Sequence, residues 1–573
     1  MTPIPHGAAA RALPPCDLVM KGGVTSGIVY PSLVLKLAEH YRFASIGGTS
    51  AGAIAAALTA AAEYGRQRDN GGGTNRLEAA LKSLAEPHAI VGLFQPTPAT
   101  KPLFEVITKA LLAKKTRWRR IAFVAGVAAQ RRARAVVVGA LLLAALVASG
   151  VVAFVNFSAV LALAWTIVVV APLILLVIVA TAVAAVGGLL LQTVRALGDS
   201  DFGMCPGTRQ RGGDGDAVVE WLHEHIQSCA GKPLDEPLTF RDLADEGIDL
   251  TMITTDLSLA RPVRVPHALD AYRFDVEKMR ERFPAVVVDA MLDRESPAGA
   301  RFQKMPTEDL PVLVGVRLSL SFPLLLSAMP LYQESALEAL RPNLFSDGGI
   351  SSNFPMHFFD AWFPRRPTFG IDLADFPEGD KRDVFMLPNP LEPAIPRWGV
   401  VDSLPGFLSH IKDTAQNWRD TLQSELPGSR DRVCQIRFGK GQGGLYLDMD
   451  AATIADLVRR GNMAGETILT TFDAHQWDQH RWVRYLTLMG LLEDNLHRAG
   501  SPFGAFAPEL ARGLPNVEVY RGGHDAQWCL QAQHATAALL ALAGGWGASP
   551  GDVDFRTGEV PVPDPVMRAV PRA

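Results

Sequence analysis

Short apolar runs closed by glycine alternate along this chain with longer stretches in which apolar residues return every three or four positions. Residues 17–20 (Asp-Leu-Val-Met) and 43–46 (Phe-Ala-Ser-Ile) are the first two such runs and predict buried strands. The second passes through glycines into an Ala-rich segment, 51–64, that predicts a helix, so strand, turn and helix follow as one unit. Residues 70–73 (Asn-Gly-Gly-Gly) predict a loop, and 76–84 and 103–112 predict helices. Further on, 217–227 predicts a helix, while 248–254, 312–316 and 368–373 predict strands. Strands alternating with helices make this an α/β protein with a mostly parallel central sheet. From about residue 403 helical periods dominate, at 407–425, 452–474, 481–499 and 526–543, so a helical C-terminal region ending in a Pro-rich tail is expected.

One stretch departs from this rhythm. Residues 135–194 hold no Asp, Glu, Lys or Arg between Arg134 and Arg195, and Asn156-Phe157-Ser158 breaks them into two runs. At 1.5 Å per residue the first run reaches about 35 Å, enough for a hydrocarbon core of about 30 Å. The pattern predicts a transmembrane hairpin with spans at 135–157 and 159–182; the competing reading is a buried core hairpin of a large domain. Upstream, Lys114, Lys115, Arg117, Arg119, Arg120, Arg131, Arg132 and Arg134 form a basic cluster suited to the cytoplasmic leaflet. An integral, inner-membrane protein with the segments on both sides of the hairpin in the cytoplasm is the expectation.

Composition narrows the picture. The 573 residues are 48% hydrophobic and 20% charged, a folded chain rather than a disordered one. A net charge of -4 gives no overall basic field for nucleic acid. The five cysteines, Cys16, Cys205, Cys229, Cys434 and Cys529, include no Cys-x-x-Cys pair, which argues against a disulfide framework or a zinc site and for a reducing compartment. Residues 1–15 show no secretory signal pattern. His223 and His225, two apart on a helix, make a poor metal pair, and no cofactor is expected.

Three segments carry chemistry. Gly48-Thr49-Ser50-Ala51-Gly52 sits between the second strand and the Ala-rich helix, the context of a nucleophile elbow. Small residues at Gly48 and Gly52 allow strand and helix to approach, and the helix start offers unpaired N–H groups to developing negative charge. Lys21-Gly22-Gly23-Val24-Thr25-Ser26-Gly27 follows the first strand, and its main-chain N–H groups, such as those of Gly22, Gly23 and Val24, can point together at an oxyanion, although such turns also bind phosphates or simply turn the chain. Phe345-Ser346-Asp347-Gly348-Gly349 places Asp347 in a turn after the apolar residues 318–326, with Gly348 and Gly349 completing the motif. Asp347 can there point its carboxylate at a partner or only bond its own backbone in the turn, and burial beside that apolar wall is expected to raise its pKa. The Gly439 to Gly444 segment lacks Walker spacing and reads as a turn.

Together the glycine loop, the Gly-x-Ser-x-Gly serine and the distant Asp-Gly-Gly resemble the patatin-like phospholipase family. The resemblance covers roughly residues 16–115 and 200–375 and extends to Ile253-Thr254-Thr255-Asp256-Leu257 and Ser321-Phe322-Pro323. It implies a patatin-like three-layer fold and a Ser-Asp dyad without histidine: Ser50 as nucleophile, Asp347 as base, and a phospholipid or other lipid ester in an adjacent bilayer as substrate. The implied organisation is a first catalytic part at 16–115, a basic and transmembrane segment at 116–199, a second catalytic part at 200–400 and a helical region at 401–573. In the glycine loop Lys21 stands where the family has Asp, Val24 where it has the third Gly, and Ser26 where it has Arg. The same chain order also suits a Ser-Asp-His triad with His357, His410, His475 or His480 as third member. Acyl transfer to another acceptor and a non-catalytic lipid-binding scaffold complete the readings.

Overall fold

In the computed structural model the two glycine-closed runs become β1 (Pro15–Met20) and β2 (Arg42–Thr49), parallel strands joined through α1 (Tyr30–Ala38). The structure describes residues 4–23, 26–84, 89–105, 133–156, 168, 171–213, 215–293, 297, 299–334, 340–377, 379–387, 401, 403–439, 442–443, 449–512, 526–549 and 552–555. Both strands are buried almost throughout, as continuous apolar runs at the centre of a parallel sheet should be. β2 passes directly into α2 (Ala51–Arg68), which packs back on it.

The main sheet runs in the order β12 (Val384–Met386), β13 (Val433–Phe438), β11 (Thr368–Asp375), β1, β2, β4 (Asp249–Asp256), β10 (Arg341–Asp347), β9 (Met329–Gln333), β6 (Tyr272–Asp275) and β7 (Phe302–Lys304). The strand β5 (Arg261–Val265) also pairs with β4, and β3 (Gly203–Cys205) pairs with β8 (Leu324–Leu326) in a second, small sheet. The five strands from β13 to β4 are parallel, and the pairings at both flanks are antiparallel. The expected α/β class with a parallel centre is therefore what the chain forms.

The register at the middle of this sheet decides where chemistry can occur. Thr49, the last residue of β2, pairs with Ile253, and Asp347, the last residue of β10, pairs with Thr254. The two strands run in opposite senses and end against successive residues of β4. Segments almost 300 positions apart in sequence thus meet at one point.

The helix expected at 217–227 forms as α5 (Val218–Ala230), whereas three expectations change. Residues 312–316 are not a strand but the start of α6 (Val312–Ser319), whose residues are all buried. Wrapped on every side, the helix carries apolar residues at every register, and its short run looks like a buried strand. The region after 401 is helical in α7 (Leu404–Glu425), α8 (Ala451–Thr471), α9 (Ala474–Arg512) and α10 (Ala526–Gly544), yet it also gives β13 to the sheet. The C-terminal region is thus bound into the sheet rather than laid on it.

The transmembrane hairpin is the third. Among the described residues no helix is long and apolar enough to cross a membrane, so the spans at 135–157 and 159–182, and the integral membrane placement built on them, are corrected. The described parts of the apolar stretch are α3 (Ala133–Asn156) and α4 (Ala171–Asp199), which pack on each other. A Cβ on Gly139 would lie 2.4 Å from Thr181 Oγ1, so the helices approach closely where that glycine stands. α4 continues through Gln192 and Arg195 to Asp199, and Ala196 near its end is buried. Along this pair Leu141, Val155 and Leu191 are exposed. The basic cluster at 114–132, most of the helix expected at 103–112, Val24 and the Pro-rich tail lie outside the described residues.

Candidate active site

Ser50 stands between β2 and α2 with φ 56° and ψ -127°, a backbone that L-residues rarely adopt. The turn is this sharp because a Cβ on Gly48 would lie 2.2 Å from Gly52 O, and one on Gly52 would lie 2.3 Å from Met20 O. Both motif glycines are therefore demanded by packing. The Ser50 N–H donates to Ser319 Oγ at 3.1 Å, so the end of α6 holds the elbow from the other side. Ser50 itself is 4% exposed.

Asp347 reaches the serine from β10. It is 3% exposed, and its Oδ1 accepts the Gly349 N–H at 2.7 Å, while the equally buried Oδ2 makes no well-formed hydrogen bond. Burial raises the carboxyl pKa to about 7, opposed by the adjacent Ser50 hydroxyl and the Gly349 amide. The expected pairing of Ser50 with a raised carboxylate is thus present in space. Gly348 marks the junction, since a Cβ there would meet Ile253 O at 2.0 Å and Thr49 Cγ2 at 2.5 Å.

The backbone under Asp347 is fixed from below. The Thr255 hydroxyl lies 2.9 Å from Asp347 O, and Thr254 Oγ1 lies 2.9 Å from Ser346 O and 3.0 Å from Leu318 O. Asp347 N–H donates to Ser321 O at 2.9 Å. Arg317, fully buried, donates to Ser321 Oγ at 2.7 Å and to the carbonyls of Pro206 and Ser327. Burial without a carboxylate partner lowers its pKa to about 9.

The glycine loop lies against the nucleophile, as a Cβ on Gly22 would come within 3.0 Å of Ser50 Cβ. Its amides are not equivalent. The Gly22 N–H donates to Asn353 O at 3.0 Å and is occupied, whereas the Gly23 N–H makes no hydrogen bond among the described residues. Ala51, first residue of α2, has no intrahelical acceptor for its N–H. The available donors are therefore Gly23 and Ala51; Val24 lies outside the described residues. Lys21 is an internal strut, with Nζ 2.8 Å from Asp372 Oδ1 and 3.2 Å from Leu373 O. The departure at this position thus ties the loop to β11.

Sequence reasoning predicted the helix at 407–425, which forms as α7, but missed that it closes the site. Asp420 on α7 accepts from Ser352 Oγ at 3.1 Å, from Asn353 N at 2.5 Å and from Phe354 N at 2.8 Å, and Gln416 donates to Gly349 O. This clamp holds the turn that follows Asp347. Nothing around Asp420 in sequence marks it, because its partners lie about 67 positions upstream. Ser319, inside an apolar run, was equally silent.

No histidine among the described residues is hydrogen-bonded to Ser50 or Asp347. His480, a triad candidate, is bound elsewhere, its Nδ1 2.6 Å from Asp431 Oδ2. Cys16, Cys205, Cys229 and Cys434 are buried free thiols. Among the described residues no cluster of His, Cys, Asp or Glu could hold a metal ion.

No family model matches the chain. Among solved structures VipD from Legionella pneumophila is similar at 11% identity over 92% of this chain and 88% of that one, with a TM-score of 0.29, below the level at which folds can be equated. The RpoH suppressor of Rhizobium meliloti (strain 1021) is 33% identical over 601 residues, which span 89% of this chain and 90% of that protein. At that identity and coverage, this chain belongs to the family of the Rhizobium meliloti RpoH suppressor.

Proposed function

We propose that the protein is a serine acyl-ester hydrolase in which Asp347 is the base for Ser50, on a patatin-like arrangement of sheet and elbow. The observation that carries the reading is a buried carboxyl with its pKa raised to about 7 beside a serine at φ 56°. A carboxylate of that pKa takes a proton near neutral pH far better than an ordinary one. The Ser50 Oγ attacks an ester carbonyl while its proton passes to the free Asp347 Oδ2, and the oxyanion is received by the Gly23 and Ala51 amides at the positive end of α2. The alcohol leaves with the proton from Asp347. Water, deprotonated by the same carboxylate, then attacks the acyl-enzyme and releases the acid. The glycine-loop, elbow and Asp-Gly-Gly resemblance makes a lipid ester, such as a phospholipid, the preferred substrate class.

A Ser-Asp-His triad has no observation in its favour, because no described histidine reaches the pair. The test is hydrolysis of short-chain and phospholipid esters by the purified chain, together with fluorophosphonate labelling. Ser50→Ala should lower the rate by several orders of magnitude and abolish labelling. Labelling at another serine, or an unchanged rate, would sink the assignment.

A further inference from the structure

Away from the dyad, one face of α9 and the loop that follows the site enclose a solvent-open basin of about 760 Å³. Its walls are Trp477, Arg481, Trp482 and Tyr485 from the helix and Phe363 and Arg365 from the loop, with Asp478 at its rim. Spacings of three, four and five residues bring the four helix residues to one side.

Two properties separate this basin from an ordinary dent. The first is what it exposes. Trp482 is 59% and Phe363 61% exposed, large rings left in water. Trp482 stacks on Tyr485 with centroids 5.2 Å apart and planes at 25°, and the Arg481 guanidinium lies 5.9 Å from the Trp477 ring. Arg365 makes no hydrogen bond or ion pair among the described residues. Arg481 has only a 3.5 Å surface contact with Asp478, of the kind that contributes little. Two guanidiniums against one carboxylate leave the basin positive.

The second is how its walls are held. Behind the helix wall His480 and Asp431 form a pair that is 1% and 0% exposed, and Trp477 stacks over His480 at 5.8 Å. Behind the loop wall Asp360 joins Arg432 at 2.6 Å and Arg484 at 3.0 Å, both arginines buried. Burying this many charges costs solvation energy, and none of them touches Ser50 or Asp347. What the network does fix is the position of both walls, which is how a preformed ligand site is made.

Flat rings beside guanidinium forks define the ligand chemistry. Arginines repel a cation, an apolar ligand leaves both guanidiniums unused, and a bare anion leaves the rings unused. Guanidinium forks match phosphate oxygens in pairs, and stacked indole and phenol rings take a planar base. The volume lies within the range of small-molecule sites and suits a single nucleotide. We propose that this basin binds a mononucleotide, with its base on the aromatic wall and its phosphate on Arg365 and Arg481.

The experiment is calorimetric titration of the full chain with AMP and with ATP, followed in parallel by tryptophan fluorescence. Adenosine and inorganic phosphate serve as the two half-ligands. AMP or ATP should bind with a dissociation constant below about 1 mM, and each half-ligand at least about tenfold more weakly. Trp482→Ala and Arg365→Ala, both at exposed positions, should each weaken nucleotide binding about tenfold or more with unchanged thermal melting. The proposal is overturned if neither nucleotide binds below about 1 mM, if a half-ligand binds as tightly as the nucleotide, or if both variants bind like the parent. None of these results depends on whether Ser50 hydrolyses an ester.

Discussion

At the residue scale the proposed chemistry rests on Asp347, whose burial lifts its carboxyl pKa to about 7 while the Ser50 hydroxyl and the Gly349 amide oppose that rise. Only the carboxylate can accept the serine proton, so hydrolysis should rise with pH to a plateau, with its midpoint near 7 in a rate profile of the free enzyme. The same shift acts on stability with a definite sign. A carboxyl whose folded pKa exceeds its unfolded value favours folding below the unfolded value of about 4, and that contribution is lost as pH rises through about 7. Asp347→Asn keeps the acceptor for Gly349 and removes the charge. Denaturant melts should show this variant inactive yet more stable than the parent at pH 8, by up to ~4 kcal/mol, with the gain vanishing at pH 4. Equal stability of the two proteins at pH 8 would mean that the carboxyl is not held out of water. A raised Asp pKa was expected from the apolar residues near 318–326, but the free Oδ2 and the occupied Gly22 amide depend on atoms brought from Asn353 and Gly349 and could not be read in advance.

At the element scale the decisive feature is α7, a helix that no motif announces. Asp420 accepts from two backbone amides and a hydroxyl of residues 352–354, and Gln416 donates to the Gly349 carbonyl. Each buried amide stripped of its acceptor costs about 1–3 kcal/mol. Asp420→Ala should therefore loosen the turn after Asp347. Steady-state kinetics should show kcat reduced about tenfold to a hundredfold and KM nearly unchanged, because the base is displaced while the binding surface stays. A parent-like kcat would mean that the clamp is structural decoration. The misread of α6 belongs to the same scale. Its sequence, Val-Leu-Val-Gly-Val-Arg-Leu-Ser, is apolar on every face because it is enclosed on every face, and an enclosed helix has no polar stripe to reveal its period.

At the scale of the whole molecule the C-terminal region is built into the same body as the Ser50–Asp347 site. It contributes β13 to the sheet, α7 to the site, and the Asp431–His480 pair to the interior. Burial would push the Asp431 carboxyl up, but the charges of His480 and Arg432 prevail and hold it below the usual range. Its contribution to stability is therefore present above the unfolded carboxyl pKa of about 4 and fades as pH falls below it. His480→Ala leaves that carboxylate buried without its nearest partner, a loss of about 3–5 kcal/mol. Thermal melts at pH 7 should show a markedly lower midpoint, and a parallel fall in esterase activity would show that the region folds as one body with the dyad.

The sequence alone determined the strand-turn-helix unit around Ser50, the α/β class and the three glycine-bearing motifs, because each is local: a sharp turn needs small residues at fixed offsets, and a buried parallel strand needs a continuous apolar run. It also indicated an apolar hairpin, but not its fate. Apolar side chains satisfy a bilayer or a packed helix alike, and only the pairing of α3 with α4 and the path of α4 into Arg195 and Asp199 settled which described helices form. Tertiary structure likewise decided that β2 and β10 end on neighbouring residues of β4, that Asn353 occupies one oxyanion-loop amide, and that Asp420 closes the site. Those are contacts across tens to hundreds of residues, fixed by register and burial, and a one-dimensional pattern carries no term for them.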